Sequence, residues 1–410
     1  MQAIYAAEGL DGCRRLLEKK RDEWKNNPLN VAVIGNSGVG KSSFINAIRG
    51  LSAGDEGAAA VGVTQTTMEP RSYPHPDNPM LKFWDLPGVG TDEFPRASYL
   101  NEIDVNRYDF FLLLCARRFT ENDTWLCKEF QKRNKKYFFV RTMIEVDISN
   151  NEKDCPKTHN AEDVVKKIRQ TTEEILRKHE GEDVPLFLID NYKLDKFDFE
   201  KLTLKLIRNF LDLKRSSLIL SLQSISVQMI QLKMAELRPR AWKMATRSAT
   251  VEMIPIPGVS VVTDVGIVVG EAMFYFKQLG LDDESLQRYA KLHSADYDKM
   301  QSVIRNRLGI YALGAVTAEG MTTLVMEILA RVVPLQATTA AEESARIFLP
   351  VISNFTAAPL TFVGTQIALN AVLDKFEKVA VEVMQCVMLN DDSTEKYNVE
   401  GRTVSEDAQT

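Results

Sequence analysis

An apolar run, Val31-Ala32-Val33-Ile34, meets a stretch with helical spacing, Ser42-Ser43-Phe44-Ile45-Asn46-Ala47-Ile48, through the octet Gly35-Asn36-Ser37-Gly38-Val39-Gly40-Lys41-Ser42. Strand, glycine-rich loop and helix in that order constrain the fold more than any other feature of the chain. They predict a phosphate-binding loop at the start of an α/β nucleotide-binding domain. The glycines let backbone N–H groups curl around a phosphate, and the helix N-terminus adds its partial positive charge. Lys41 is placed to reach the β- and γ-phosphates, and the Ser42 hydroxyl to hold Mg²⁺. Gly35, Asn36, Ser37, Gly38, Val39, Gly40, Lys41, Ser42 and Ser43 are therefore candidate nucleotide contacts.

A second motif, Asp85-Leu86-Pro87-Gly88, ends the run Leu81-Lys82-Phe83-Trp84. A carboxylate at a strand's C-terminal end can hold the Mg²⁺ through water, and the Gly88 N–H can face a γ-phosphate. The same four residues also suit an ordinary turn, because Asp, Pro and Gly are all turn formers. Downstream of a phosphate loop in one sheet pattern, the phosphate-sensing reading is the stronger.

A chain of 410 residues predicts two or three domains, and its 45% hydrophobic content is enough for a large core. The formal net charge of −5 argues against nucleic acid as the main partner. Cys13, Cys115, Cys127, Cys155 and Cys386 show no C-x-x-C pair, which fits free thiols in a reducing compartment. His75, His159, His179 and His293 are dispersed and read as packing or surface residues. The first residues lack the apolar core of a signal peptide, Gln2 does not suit N-myristoylation, and the last four form no prenylation box. The expectation is a cytoplasmic protein, with peripheral membrane contact as the alternative.

Residues 3–27 read as a helix closed by Asn26-Asn27-Pro28. Strand-like runs follow at 31–34, 81–85, 109–115, 137–142 and 186–190, mostly separated by helical stretches, as in a doubly wound sheet. A further strand near 67–73 is expected antiparallel beside 81–85, with Pro74 and Pro76 at the turn. From Ser216 the period changes to that of helices, expected at 216–238, 258–279, 283–306, 310–333, 339–347 and 360–389, with breaks near Pro239, Pro255 to Gly258 and Pro350. Residues 347–373 carry no charge. Two prolines and seven Ser, Thr, Asn and Gln side chains make a buried helical hairpin the favoured reading there, ahead of a membrane-touching element and, last, a transmembrane span.

Beyond these motifs, the chain resembles the immunity-related GTPases, the interferon-inducible relatives of dynamin. The resemblance is carried by Ser42 through Gly50, Glu56-Gly57-Ala58-Ala59, Gly62-Val63, Thr67-Met68-Glu69, Tyr73-Pro74-His75-Pro76, Phe83 through Gly88, Tyr108-Asp109-Phe110-Phe111 and Phe138-Phe139-Val140-Arg141-Thr142. It is specific across 29–200 and weaker in the helical half, where Pro255 to Ser260 and Gly280 to Leu286 carry it. Lys41, rather than Met, resembles the effector-like branch. The resemblance implies an N-terminal helix (1–28) packed on a helical domain. It implies a Ras-like G domain (29–212) with a mostly parallel six-stranded sheet and helices on both faces. By its helical period an all-α domain (213–389) follows, and by its polarity a mobile tail (390–410). It further implies GTP/GDP and Mg²⁺ as ligands, GTP-dependent self-association, hydrolysis accelerated by that association, and attachment to internal membranes, often vacuoles around intracellular pathogens.

The sequence departs from the family pattern at the base. A [NT]-K-x-D motif normally reads guanine, its carboxylate accepting N1–H and N2–H. Here the matching stretch is Thr142-Met143-Ile144-Glu145. Glu145 keeps the charge on a longer stem, Met143 brings no ammonium, and Asp147 is a second possible acceptor. The next loop is Asp190-Asn191, where the family favours Ser-Asn. Guanine preference with weakened affinity is the expectation, and a Glu145 turned to solvent is the alternative. Val89 stands where Ras-type enzymes place a water-orienting Gln nearby, so one subunit alone should react slowly. A homodimer or oligomer across the nucleotide face could supply the missing group. By family register Thr67 is the switch threonine closing on Mg²⁺ or the γ-phosphate. Gln65 lies where relatives can carry an acidic residue, although a strand end explains the same threonine cluster. The basic run Lys132 to Lys136 reads as a solvated helix end, with anionic membrane lipids as its rival partner.

Overall fold

The computed structural model describes residues 28–62, 69–90, 94–117, 119–180, 184–210, 212–251, 259–293, 295–309, 318–336 and 362–400. The expected helix at 3–27, Gln65 and Thr67, the expected helix at 339–347 and most of the uncharged 347–373 segment lie outside them. The chain divides into two compact units that meet at Ile225/Ser226, past the 212/213 boundary expected from sequence.

The first unit is built on one six-stranded sheet in the order β2-β3-β1-β4-β5-β6. Its strands are β1 (Leu29–Ile34), β2 (Arg71–His75), β3 (Asn78–Asp85), β4 (Phe110–Ala116), β5 (Tyr137–Thr142) and β6 (Leu186–Leu188). Only β2 runs antiparallel, as a hairpin partner of β3. Unbroken apolar runs such as Val31 to Ile34 and Phe110 to Cys115 are buried on both faces, as central parallel strands must be. Among the described residues seven α-helices accompany the sheet: α1 (Lys41–Ile48), α2 (Arg96–Glu102), α3 (Glu121–Lys132), α4 (Ile144–Asp154), α5 (Ala161–Glu180), α6 (Phe199–Arg208) and α7 (Asp212–Ser221). The register puts Val33 opposite Asp85 and Ile34 opposite Leu113. The loops that follow β1 and β3 therefore leave the sheet side by side, where the strand order changes direction, and there an open α/β sheet forms its binding crevice.

Pro74 does not mark the hairpin turn. It lies inside β2 at a register irregularity, paired with Lys82, and the reversal falls at Pro76-Asp77. An edge strand tolerates the missing N–H, which a central strand would not.

The second unit is helical: α8 (Val227–Val251), α9 (Val259–Gln278), α10 (Asp283–His293), α11 (Tyr297–Leu308), α12 (Ala318–Gln336) and α13 (Phe362–Glu400). Ile230, Met234, Leu237, Ala241 and Met244 form one buried face of α8 at helical spacing. In α9 and α13, Phe276 and Phe376 meet edge to face with centroids 5.4 Å apart. A buried Arg240–Glu271 pair, 2.9 Å apart, joins α8 to α9. Lys233 Nζ donates to the Gln278 carbonyl at 2.7 Å.

Several expected boundaries move. The helix expected over 216–238 is two helices, α7 and α8. Ser226, whose hydroxyl accepts from the Met229 N–H, starts the second. The stretch 283–306 likewise splits, because Asp296 caps α11 by accepting from the Lys299 N–H. Pro239 does not break its helix but sits inside α8, where the buried face runs past it. Helix α13 continues beyond Asn390, where a mobile tail was expected; extending an existing helix is far cheaper than starting one. Among the described residues no helix is long and apolar enough to cross a membrane.

Candidate nucleotide-binding site

The loop between β1 and α1 has the backbone that its glycines permit. Gly35, Gly38 and Gly40 have φ of 150°, 78° and 85°. A Cβ at Gly35 would come within 2.1 Å of the Leu114 carbonyl oxygen, and one at Gly40 within 3.0 Å of Asn191 Nδ2. The loop must therefore be side-chain-free at both points. Lys41 is buried, and its Nζ donates to the carbonyls of Gly35 (3.1 Å) and Asn36 (3.0 Å). Burial lowers the Lys41 pKa, and the nearby Asp85 carboxylate opposes that shift. An ammonium held this way inside a glycine loop is a cation prepared for an anionic ligand.

The Ser42 hydroxyl donates to Asp85 Oδ2 at 2.6 Å, so the two residues that the sequence links through Mg²⁺ touch across neighbouring elements. Gly88 lies over the loop, where a Cβ would stand 3.0 Å from the Ser37 N. Pro87 is fixed from below, its carbonyl accepting at 2.7 Å from the hydroxyl of the fully buried Tyr99. Val89 is buried too, so its side chain does not face the loop's solvent side.

The base-recognition candidates gather on the far side of the loop. The Thr142 hydroxyl, at the end of β5, donates to the Val39 carbonyl (2.7 Å), with the Cys115 carbonyl as a second acceptor (3.0 Å). Met143 takes a left-handed conformation (φ 61°) at the start of α4, and Glu145 follows in the first helical turn. Asp147 pairs with the buried guanidinium of Arg141, which also donates to the Thr142 carbonyl at 2.8 Å. That pairing already engages the Asp147 carboxylate. Asn191 Nδ2 donates to the Gly40 carbonyl at 3.1 Å, while its buried Oδ1 accepts from no donor among the described residues. Asp190 accepts from the Tyr192 N–H at 2.9 Å. Tyr192 itself is the most exposed large side chain at the site, its hydroxyl 3.4 Å from Ser43 Oγ.

Sequence reasoning missed the residues that hold this loop in place. Asn36 Nδ2 donates to Thr120 Oγ1 at 2.9 Å, and Asn122 Nδ2 donates to Asn36 Oδ1 at 3.1 Å and to the Val89 carbonyl at 2.9 Å. Thr120 and Asp123 form a capping box at the start of α3. Thr120 through Asp123 carries that signature in the sequence, and it was the available signal. Burial raises the Asp123 carboxyl to about 6, against the lowering effect of its bonds from Thr120. Asn46 and Arg49, on and just after α1, tie down the segment leading toward Thr64. Asn46 exchanges two bonds with Ala59 (2.9 and 2.6 Å), and Arg49 donates to the Gly57 (3.0 Å) and Pro74 (2.8 Å) carbonyls. The basic run after α3 is partly neutralised, since Lys132 and Arg133 both pair with Glu129.

The residues present fit a nucleotide. A glycine-rich cradle, a buried ammonium and the buried Asn191 Oδ1 supply a phosphate site and a donor-seeking acceptor beside it. The Ser42–Asp85 pair offers the hard oxygen ligands that Mg²⁺ takes together with phosphate oxygens. Among the described residues no three His, Cys, Asp or Glu side chains cluster as a metal site.

Comparison with known proteins follows the same line. The model of the interferon-inducible GTPase family (IIGP) matches residues 10–342. A mouse T-cell-specific guanine nucleotide triphosphate-binding protein 2 is 37% identical over 277 residues, 67% of this chain and 66% of that protein. The rat interferon-inducible GTPase 5 is 37% identical over 280 residues, covering 68% of this chain and 60% of its own length. The mouse interferon-inducible GTPase 1 is 36% identical over 278 residues, 68% and 67% respectively. The chain thus spans 66% and 60% of the lengths of the first two, less than two thirds of each. With a family model matched over most of its length, this chain belongs to the interferon-inducible GTPase family.

Proposed function

We propose that this protein is a GTPase of cell-autonomous immunity. In this reading it binds GTP with Mg²⁺, hydrolyses it slowly as a single subunit, and turns over faster when two copies associate across the nucleotide face at an intracellular membrane. The observation that carries the reading is the glycine-rich loop around the buried Lys41, with Ser42 bonded to Asp85 beside it. Lys41 would neutralise the β- and γ-phosphates, and Ser42, Asp85 and Thr67 would hold Mg²⁺, whose charge offsets that developing on the phosphoryl oxygens. Gly88 would meet the γ-phosphate. Thr142 fixes the loop from behind, Met143 and Asn191 flank the base site, and Glu145 would accept from guanine N1–H and N2–H. Adenine has no N1–H to donate, so a carboxylate there favours guanine.

Slow intrinsic turnover follows from Val89. Its buried side chain cannot orient a water, which leaves Gln65 or a second subunit to do so. Relatives named as GTPases and as a guanine nucleotide triphosphate-binding protein support the nucleotide and the reaction.

The test is calorimetric. Lys41→Ala should lower GTP affinity at least about tenfold, about 1.4 kcal/mol, in a folded protein. Glu145→Ala should weaken GTP more than ATP, by about 1.5–3 kcal/mol for each of the two charge-assisted bonds it removes. Unchanged GTP affinity in Lys41→Ala would remove the site assignment. Hydrolysis per mole, followed over a roughly hundredfold range of protein concentration, should rise as the dimer forms. A flat profile, with a monomer by light scattering in the presence of a non-hydrolysable GTP analogue, would point to a hydrolysis-poor scaffold instead.

A further inference from the structure

We propose that Asn122 is a positioning residue that sets how much more tightly this site holds a nucleoside triphosphate than the matching diphosphate. The proposal rests on the nucleotide-binding reading above and adds to it a residue outside both nucleotide motifs.

Asn122 occupies the first turn of α3, and its carboxamide is used on every side. One amide nitrogen donates to Asn36 Oδ1 in the phosphate loop (3.1 Å) and to the Val89 carbonyl just after Gly88 (2.9 Å). Its oxygen accepts from Arg96 Nε, at the start of α2, at 2.6 Å. Because Arg96 can only donate, it fixes which way the amide points, and so which end faces Asn36 and Val89. The backbone after Gly88 wraps closely around this side chain. Gly90 has φ 77°, and a Cβ there would stand 2.7 Å from Asn122 Nδ2.

One side chain therefore joins the loop that would hold the α- and β-phosphates to the segment that would meet the terminal one. The joint is stiff at its base. The Thr120–Asp123 capping box anchors the turn that carries Asn122, and Thr120 Oγ1 also accepts from Asn36. Tyr99 holds Pro87 from the other side. A Cβ at Gly88 would stand only 3.0 Å from the Ser37 N. A triphosphate meets that segment already in place and need not order it. A diphosphate lacks the group that reaches it and gains nothing from its position. Preorganisation of this kind alters one affinity and spares the other.

The experiment is isothermal calorimetry of the full chain with Mg²⁺, titrating a non-hydrolysable GTP analogue and GDP in parallel. Asn122→Ala should weaken the triphosphate about tenfold and leave GDP within about twofold. Asn122→Asp keeps the shape and the Arg96 partner but loses both donated bonds, so it should shift the ratio as far as the alanine does. Circular dichroism melts identify a variant that fails to fold, and the other variant then decides the question. An unchanged ratio overturns the proposal, as does an equal fall in both affinities, or an aspartate variant that keeps the wild-type ratio. If the unmodified protein binds both nucleotides and Lys41→Ala abolishes that binding while Asn122→Ala leaves the ratio alone, only this proposal falls. If the unmodified protein binds neither, both fall.

Discussion

The two units of this molecule use polar groups in opposite ways. In the sheet unit, polar side chains gather at one end of the strands and hold loops: the buried Asn46, Thr142 and Asn191 and the half-buried Asn36 and Asn122 each bond to backbone or to side chains around the phosphate loop. In the helical unit they hold helices together: Lys233 caps a carbonyl at the end of α9, and Arg240 pairs with Glu271 between α8 and α9. The first arrangement fixes the shape of a surface. The second fixes the spacing of rods. Damage to the second should cost stability and leave the site's affinity intact in the folded fraction. Damage to the first should do the reverse wherever packing allows.

The sharpest break of that contrast is Glu271→Ala. Glu271 is 2% exposed and its arginine 14%. Removing the carboxylate from so buried a pair should cost about 3–5 kcal/mol of unfolding free energy by urea denaturation. GTP affinity, measured under folding conditions, should not change, and a parallel loss of affinity would show that the two units do not separate as described.

Gly35→Ala tests the opposite end of the comparison. The new Cβ would run into the Leu114 carbonyl at 2.1 Å, so β1 or β4 must shift. A loss of about 2–4 kcal/mol is expected from overpacking and backbone strain together, with phosphate affinity lost as well. A variant with native stability and native affinity would mean that the loop relaxes freely and that its shape is not set by the sheet.

Asp123 gives the smallest effect and the one with a pH signature. Its carboxyl is raised to about 6 in the folded protein, chiefly by burial, from an ordinary value near 3.8. The folded state therefore holds its proton more tightly than the unfolded chain does, and stability from this residue falls as pH rises from about 4 to about 6, then levels off. Relative to Asp123→Asn, the wild-type protein should lose about 1–3 kcal/mol across that window. A constant difference between the two from pH 4 to 7 would show that Asp123 stays ionised throughout.

How much of this was legible in the sequence also divides along the same line. The phosphate loop and Asp85 were readable because each demands particular residue types at fixed spacing, and the strands between them are unbroken apolar runs. The helical unit announced its helices by period but hid their ends. Ser226 and Asp296 start helices inside stretches whose apolar spacing barely falters, and only their capping chemistry marks the break. Pro239 misled in the other direction, because packing along one face of α8 outweighs the local cost of a proline. Asn122 was invisible for a different reason. Its role depends on two segments distant in sequence, Asn36 and Val89, meeting at one side chain, and no local pattern encodes that.

The pairing of Val33 with Asp85 also determines which changes in chain length the protein can absorb. Extra residues placed at the Pro76-Asp77 reversal lengthen a hairpin at the sheet's edge and leave Asp85 level with the phosphate loop. A single residue added between Leu81 and Asp85 moves the carboxylate by about 3.3 Å and turns it to the opposite face of the sheet, away from Ser42. Length variation in this unit is therefore open at one end of β3 and closed at the other, a polarity imposed by strand pairing before any ligand is bound.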